Sequence, residues 1–367
     1  MRKFGIVAAL LLAMGAPAAA QAPASGSGWS VAGERLRFPQ AGISVPRHAG
    51  TVDHYETREF SHAGEGLDTV LQWRSTDHAV FASLYVYYPS IAHAGLQEVA
   101  TDAAIQANPK GGGIPLRSGS AAVAGKPGLA LTAAYRGYMG ELFSTSAFVK
   151  AGRWMVKVRV SGPEAREAEV SAVLTALLDG LSFEGAVQPR PAAALDITEC
   201  AAAPDRDARV LRDKDSGLEG ALIAVFDAAG DEGKDEHGAR KLLPPRIGQS
   251  WCRSNLEVGD ARIPMLRAVA GGSGDGLGGR SELFVLYSDA GGMFEVVGLT
   301  GKKKYVLIDH EIGEAKILAT FDGVPSRRQL AELFAQPGDL GRVRASVRVK
   351  PDGNTEINLV QPEKGHR

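Results

Sequence analysis

RWMVKVRVSGPEAREAEVSAVLTALLDGLSF, residues 153–183, decides how the first half of this chain is built. Trp154, Val156, Val158 and Val160 alternate with Arg153, Met155, Lys157 and Arg159. That two-residue period is a half-buried antiparallel strand with one apolar and one mainly basic face. Pro163 then stands where a first helical turn tolerates a missing N–H, and Glu164 complements the helix dipole. Val170, Val173, Leu174 and Leu177 fall at i, i+3, i+4 and i+7, a single apolar stripe. Gly180 ends the helix, and Leu181-Ser182-Phe183 reads as a short closing strand.

Upstream, Val80, Ala82, Leu84 and Val86 alternate with Phe81, Ser83, Tyr85 and Tyr87. Both faces are largely apolar or aromatic, which predicts a central strand covered on both sides. Leu129 to Tyr135 and Glu141 to Val149 give two more strands around the turn at Gly137–Gly140. A helix is predicted over 96–107, ended by Pro109 and Gly111-Gly112-Gly113. The order of strands and helices, the RWMVKVRVSGP and LDGLSF segments, and the opening Gly42-Ile43-Ser44-Val45-Pro46 together resemble the PsbP/Mog1-like α/β/α sandwich over about 29–184. That resemblance implies an antiparallel sheet flanked by helices. It implies binding, assembly or accessory roles rather than one reaction, and it supplies no catalytic residues.

Residues 1–20 read as a secretory signal peptide: Arg2 and Lys3, an apolar run from Phe4 to Met14, and Ala18-Ala19-Ala20 before a cleavage point near Ala20. Residues 21–28, QAPASGSG, follow as a flexible leader. No later stretch approaches spanning length. The expected place is therefore the periplasm or the medium. Without Arg2 and Lys3 the 41 basic residues fall to 39 against 42 acidic ones, a net charge near −3, which is no footprint for nucleic acid. In an oxidising compartment the two cysteines, Cys200 and Cys252, are expected as a disulfide, worth roughly 4 kcal/mol by chain entropy.

GAVQPRPAAA at 185–194 reads as a linker, so 367 residues divide into two domains, 29–184 and 195–367. The second is expected to be β-rich, with strands at 208–213, 221–227, 250–256, 263–270, 282–288, 293–299, 304–309 and 315–321. One helix is predicted there, capped by Ser326 and Gln329 and carrying Leu330, Leu333 and Phe334. The chain ends in a hairpin around Pro351-Asp352-Gly353-Asn354. The fold class is thus α+β.

Chemistry is hard to find. No G-x-S-x-G, phosphate-binding loop or dinucleotide fingerprint is present. Gly271 to Gly276 lies between strands and reads as a loop. The histidines at 48, 54, 62, 78, 93, 237, 310 and 366 lack metal-ligand spacing and are expected on the surface. The acidic run Asp227 to His237 lacks the oxygen spacing of a calcium loop. No catalytic, cofactor or metal residues are therefore assigned. Arg342, Arg344, Arg348 and Lys350 share the outer face of the penultimate strand and, with Lys302-Lys303-Lys304, could meet an anionic surface. Alternation with buried residues explains the same pattern. Trp73, Tyr85, Tyr87 and Tyr88 could line a groove or fill a core. The expectation is an exported, non-catalytic binding or accessory protein with an envelope partner. The alternatives are a hydrolase with an interdomain site and an anionic-surface binder.

Overall fold

The computed structural model describes residues 28–61, 65–185, 187–201, 205–211, 216–229, 250–269, 280–299, 302–336 and 338–360. The expected signal peptide, most of the leader, most of the acidic run and the loop 271–276 lie outside these residues. The fold is mixed α and β, with sheet outweighing helix.

A small sheet joins β1 (Ser30–Ala32), β2 (Arg35–Phe38), β3 (Ile43–Pro46) and β12 (Ser182–Phe183). The main N-terminal sheet contains β4 (His48–Ala49), β5 (Val52–Glu59), β6 (Asp68–Ser75), β7 (Phe81–Tyr87), β8 (Ile114–Val123), β9 (Lys126–Tyr138), β10 (Leu142–Ala151) and β11 (Trp154–Pro163). They run antiparallel in the order β4-β5-β6-β7-β11-β10-β9-β8, which puts β11, with its alternating valines, at the centre. Val156, Val158 and Val160 turn towards α2 (Glu167–Gly180), whose Val170, Val173, Leu174 and Leu177 bury against them. Pro163 stays in β11, and a 3₁₀ turn over Glu164–Arg166 precedes the helix, so α2 starts four residues later than Pro163 suggested.

The opposite face of β11 carries Met155, Lys157 and Arg159. Over that face lies α1 (Ala94–Gln106), with Ala94 packed near Tyr87, Leu131, Phe148 and Met155, and Ile105 near Ala133 and Tyr135. Its other side, Leu96, Val99 and Ala100, packs on Trp251, Leu266, Phe284 and Met293 of the C-terminal half. One helix therefore serves two sheets. The expected linker also takes part: β13 (Pro189–Arg190) pairs with β10, and Leu195 packs beside α1.

The C-terminal sheet runs in sequence order: β14 (Ile197–Glu199), β15 (Trp251–Val258), β16 (Ala261–Ala268), β17 (Arg280–Leu286), β18 (Met293–Gly298), β19 (Tyr305–His310), β20 (Glu314–Phe321), β21 (Ala345–Val349) and β22 (Thr355–Leu359). Among the described strands only the β14–β15 pair is parallel. One face is covered by α4 (Arg327–Ala335), which starts with the expected Ser326–Gln329 capping box. The other face is covered by α1 and by α3 (Ser216–Ala229).

Two strand expectations fail. Residues 221–227 belong to α3, so the described residues of this half form two helices. A short apolar run cannot separate strand from helix by period, and α3 begins at Ser216 with two glycines, Gly217 and Gly220, in its first turns. They act as spacers: a Cβ on Gly220 would lie 2.7 Å from the Ile317 side chain, so the glycine lets α3 approach the sheet. Residues 208–213 contribute only a bridge from Val210 to Phe321 among the described residues.

Candidate functional site

The polar side chains with chemical potential gather where the halves meet. After β7 the chain turns through Tyr88-Pro89-Ser90 before α1 begins. Pro89 bridges Ile312, the Gly313 N–H donates to the Tyr88 carbonyl (2.8 Å), and the Ser90 N–H donates to the Glu311 carbonyl (3.1 Å). These bonds set Ser90 Oγ 2.8 Å from His310 Nδ1, while His310 Nε2 lies 2.9 Å from a Glu295 carboxylate oxygen. Ser281 donates its hydroxyl to the other Glu295 oxygen at 2.5 Å. Glu295 and His310 are each 1% exposed, and Ser90 is partly exposed. With the ring neutral and its proton on Nε2, His310 donates to Glu295 and can accept the Ser90 proton at Nδ1. That is the order of roles in a Ser–His–acid relay, with the two ring nitrogens exchanged relative to the usual arrangement.

Beside this chain, the β17–β18 turn reaches into the N-terminal sheet. Lys157 is 3% exposed, and its Nζ sits 4.7 Å from the Tyr85 ring centroid and 2.8 Å from Asp289. The ammonium holds the Asp289 carboxyl below its ordinary range. Burial pushes nearby Asp68 up to about 6, against the pull of Lys157. Tyr87 donates to Gln97 Oε1 at 2.9 Å, and Arg253 of β15 pairs with Asp102 of α1 at 2.9 Å. Four buried atoms between α1 and the sheet have no partner among the described residues: Gln97 Nε2, Thr101 Oγ1, Ser146 Oγ and Arg159 Nη2. Such groups ordinarily meet ordered water or a ligand.

The structure places the sequence-derived residues elsewhere. Cys200 and Cys252 are bonded, with Cα atoms 4.7 Å apart. Arg348 lies 3.9 Å from Glu314, Lys350 pairs with Glu356, and Arg344 donates to the Leu318 carbonyl, while Arg342 precedes the strand and is exposed. Lys302 and Lys304 both pair with Glu219 of α3. Trp73, Tyr87 and Tyr88 are core residues rather than the lining of an open groove. His310 and His54 are buried, not on the surface as expected; burial pushes His54 down to about 4. Among the described residues no group of three His, Cys, Asp or Glu side chains could hold a metal ion. No described helix is long and apolar enough to cross a membrane.

Ser90, Glu295 and His310 escaped the sequence reading because no motif spans their separations. One signal was available. Glu295 interrupts the apolar run MFEVVG, and a charge inside a buried strand needs a partner.

No family model matches the chain, and no curated protein matches it. Among solved structures it is similar to the solution structure of cyanobacterial PsbP (CyanoP) from Synechocystis sp. PCC 6803. The identity is 13%, covering 42% of this chain and 98% of that chain, with a TM-score of 0.31. At this identity no residue role transfers between the two.

Proposed function

We propose that this is an exported envelope protein that binds an extended segment of a partner protein by strand addition and performs no chemistry of its own. The supporting observation is β22. It ends the nine-stranded sheet, and all five of its residues are exposed, with Ile357 at 43% and Leu359 at 55%. The Val360 N–H donates to the Arg344 carbonyl and the Lys350 N–H to the Asn354 carbonyl. Antiparallel alternation then turns the backbone groups of Glu356 and Asn358 inward, and those of Thr355, Ile357 and Leu359 outward. A row that no described residue pairs, beside exposed apolar side chains, is what strand addition uses. Export rests on the leader sequence and is consistent with the disulfide.

The test uses a photo-crosslinking side chain at Leu359 of the full chain in its own cells. A single adduct of defined mass is expected. It should vanish in Ile357→Pro, which removes an outward donor while sparing the inward ladder. An adduct unchanged by Ile357→Pro, or none at all, refutes strand addition.

A second reading, a hydrolase with its site between the halves, is favoured by the Ser90–His310–Glu295 chain alone. It ranks lower because base and acid are both sealed from solvent, and the Ser90 N–H is already spent on Glu311, away from any oxyanion. Covalent labelling by a fluorophosphonate that is lost in Ser90→Ala would reverse the ranking. Binding to an anionic surface through the β21 row finds less support, since Arg348 and Lys350 face carboxylates of their own chain.

A further inference from the structure

We propose that a cavity beside the disulfide is a binding site for a small organic acid carrying one carboxylate. The cavity has a volume of about 330 Å³ and lies between the first strands of the C-terminal sheet and the start of α4. Its walls include Cys200, Cys252, Ser254, Arg267, Val269 and Arg327. The register pairs Cys252 with Arg267 and Ser254 with Met265, so Cys252, Ser254 and Arg267 all project from the α4 side of the sheet.

Two buried atoms on this wall have no partner among the described residues: Ser254 Oγ and Arg267 Nε. Arg267 makes no ion pair among the described residues. Its neighbour on the opposite face, Arg253, has Asp102, so the strands do not leave every arginine unmatched. A guanidinium cannot shed its proton and presents a planar fork suited to a carboxylate. The serine hydroxyl beside it adds one more donor.

The remaining walls set the ligand's size and charge. The disulfide, Ala201 and Val269 offer apolar surface for a hydrocarbon body. The volume falls at the low end of the roughly 300–1,000 Å³ common for ligand sites, so the body is small. Two carboxylates also line the cavity. Asp205 is occupied, accepting the Arg327 N–H at 2.9 Å. Glu199 is exposed and would repel a second negative group on the ligand. Hence the choice of a monocarboxylate over a dicarboxylate or a phosphate.

The experiment is a titration of the full mature chain, followed by backbone amide shifts in NMR, with acetate, butyrate, hexanoate, succinate and inorganic phosphate. Saturable shifts confined to β14–β16 and the start of α4 are expected. Affinity should rise from acetate to hexanoate, and butyrate should outbind succinate. Arg267→Gln should weaken butyrate binding about tenfold or more, while Arg253→Gln should leave it unchanged. If Arg267→Gln fails to fold, Arg267→Lys keeps the charge without the fork and should still weaken binding several-fold. No saturation, equal affinity in the arginine variants, or a preference for succinate or phosphate overturns the assignment.

Discussion

Lys157 Nζ lies 2.8 Å from the main-chain carbonyl oxygen of Asp289 and 2.8 Å from its carboxylate, although the two residues are 132 positions apart and belong to different halves. A buried ammonium on the central strand of one sheet is thus satisfied by the turn of another. The turn fits because Gly291 lacks a side chain: a Cβ there would lie 2.9 Å from Pro89. The central strand's basic face, read from sequence as solvent-facing, serves instead as one side of an internal joint.

Removing the acceptor should therefore cost more than a surface ion pair would. Asp289→Ala leaves the buried Lys157 ammonium with the Tyr85 ring and at most one carbonyl, an expected loss of about 2 kcal/mol in urea unfolding, because the lost carboxylate is itself 41% exposed. Lys157→Met in the same chain should recover a large part of that loss, because it removes the charge that needs a partner. Additive losses in the double variant would show that the pair is not coupled.

The shared helix α1 makes a second demand. Leu96 is fully buried among Trp251, Leu266 and Phe284, while Ala94 on the same helix packs against the N-terminal sheet. Leu96→Ala should destabilise by about 3 kcal/mol. It should lower the melting of both halves together, as one calorimetric transition. Two separated transitions, with only the C-terminal one shifted, would show that the halves unfold independently.

How much of this was legible follows from periodicity. Residues 153–183 announced a strand and an amphipathic helix because one face of each is apolar and the other is not. The Ser326–Gln329 box and the Pro351–Asn354 turn were local, so local chemistry sufficed. β8 gave no such signal: Pro115 and Gly119 interrupt it, and its edge position leaves most side chains exposed, without alternation. The site was least legible. Ser90 meets His310 only because Pro89 bridges Ile312 in three dimensions, and the seven residues from Leu84 to Ser90 hold nothing that foretells it. Arg267 looked like any strand arginine until the structure left its buried Nε without an acceptor among the described residues.

Stability should depend on pH through Asp68. Burial raises its pKa from 3.8 to about 6, so the folded chain holds this proton more tightly than the unfolded chain does. The contribution is full below the unfolded value and is lost as pH rises through 6. Asp309, pushed up to about 6 by burial although Tyr287 donates to it, acts in the same direction. Asp68→Asn should flatten the decline in unfolding free energy between pH 4 and pH 8 by up to about 2 kcal/mol. An unchanged pH slope in that variant would mean that Asp68 is ionised in the folded protein at little cost.

The Glu295–His310 pair gives the sharpest ordering of variants. His310→Phe takes a buried partner from a carboxylate that is 1% exposed and that also accepts the Ser281 hydroxyl, at a cost of about 3 kcal/mol. Ser90→Ala removes one hydrogen bond at a partly exposed position and should cost about 1 kcal/mol. Replacing both buried partners, Glu295→Leu with His310→Phe, exchanges two desolvated polar groups for apolar ones among Phe284, Ile308 and Met293. It should be less damaging than His310→Phe alone. Chemical denaturation of the three variants separates the possibilities. If the double variant is the least stable of all, the pair is a net source of stability rather than a mutually compensated burden, and the polar chain would then be worth keeping for the fold itself.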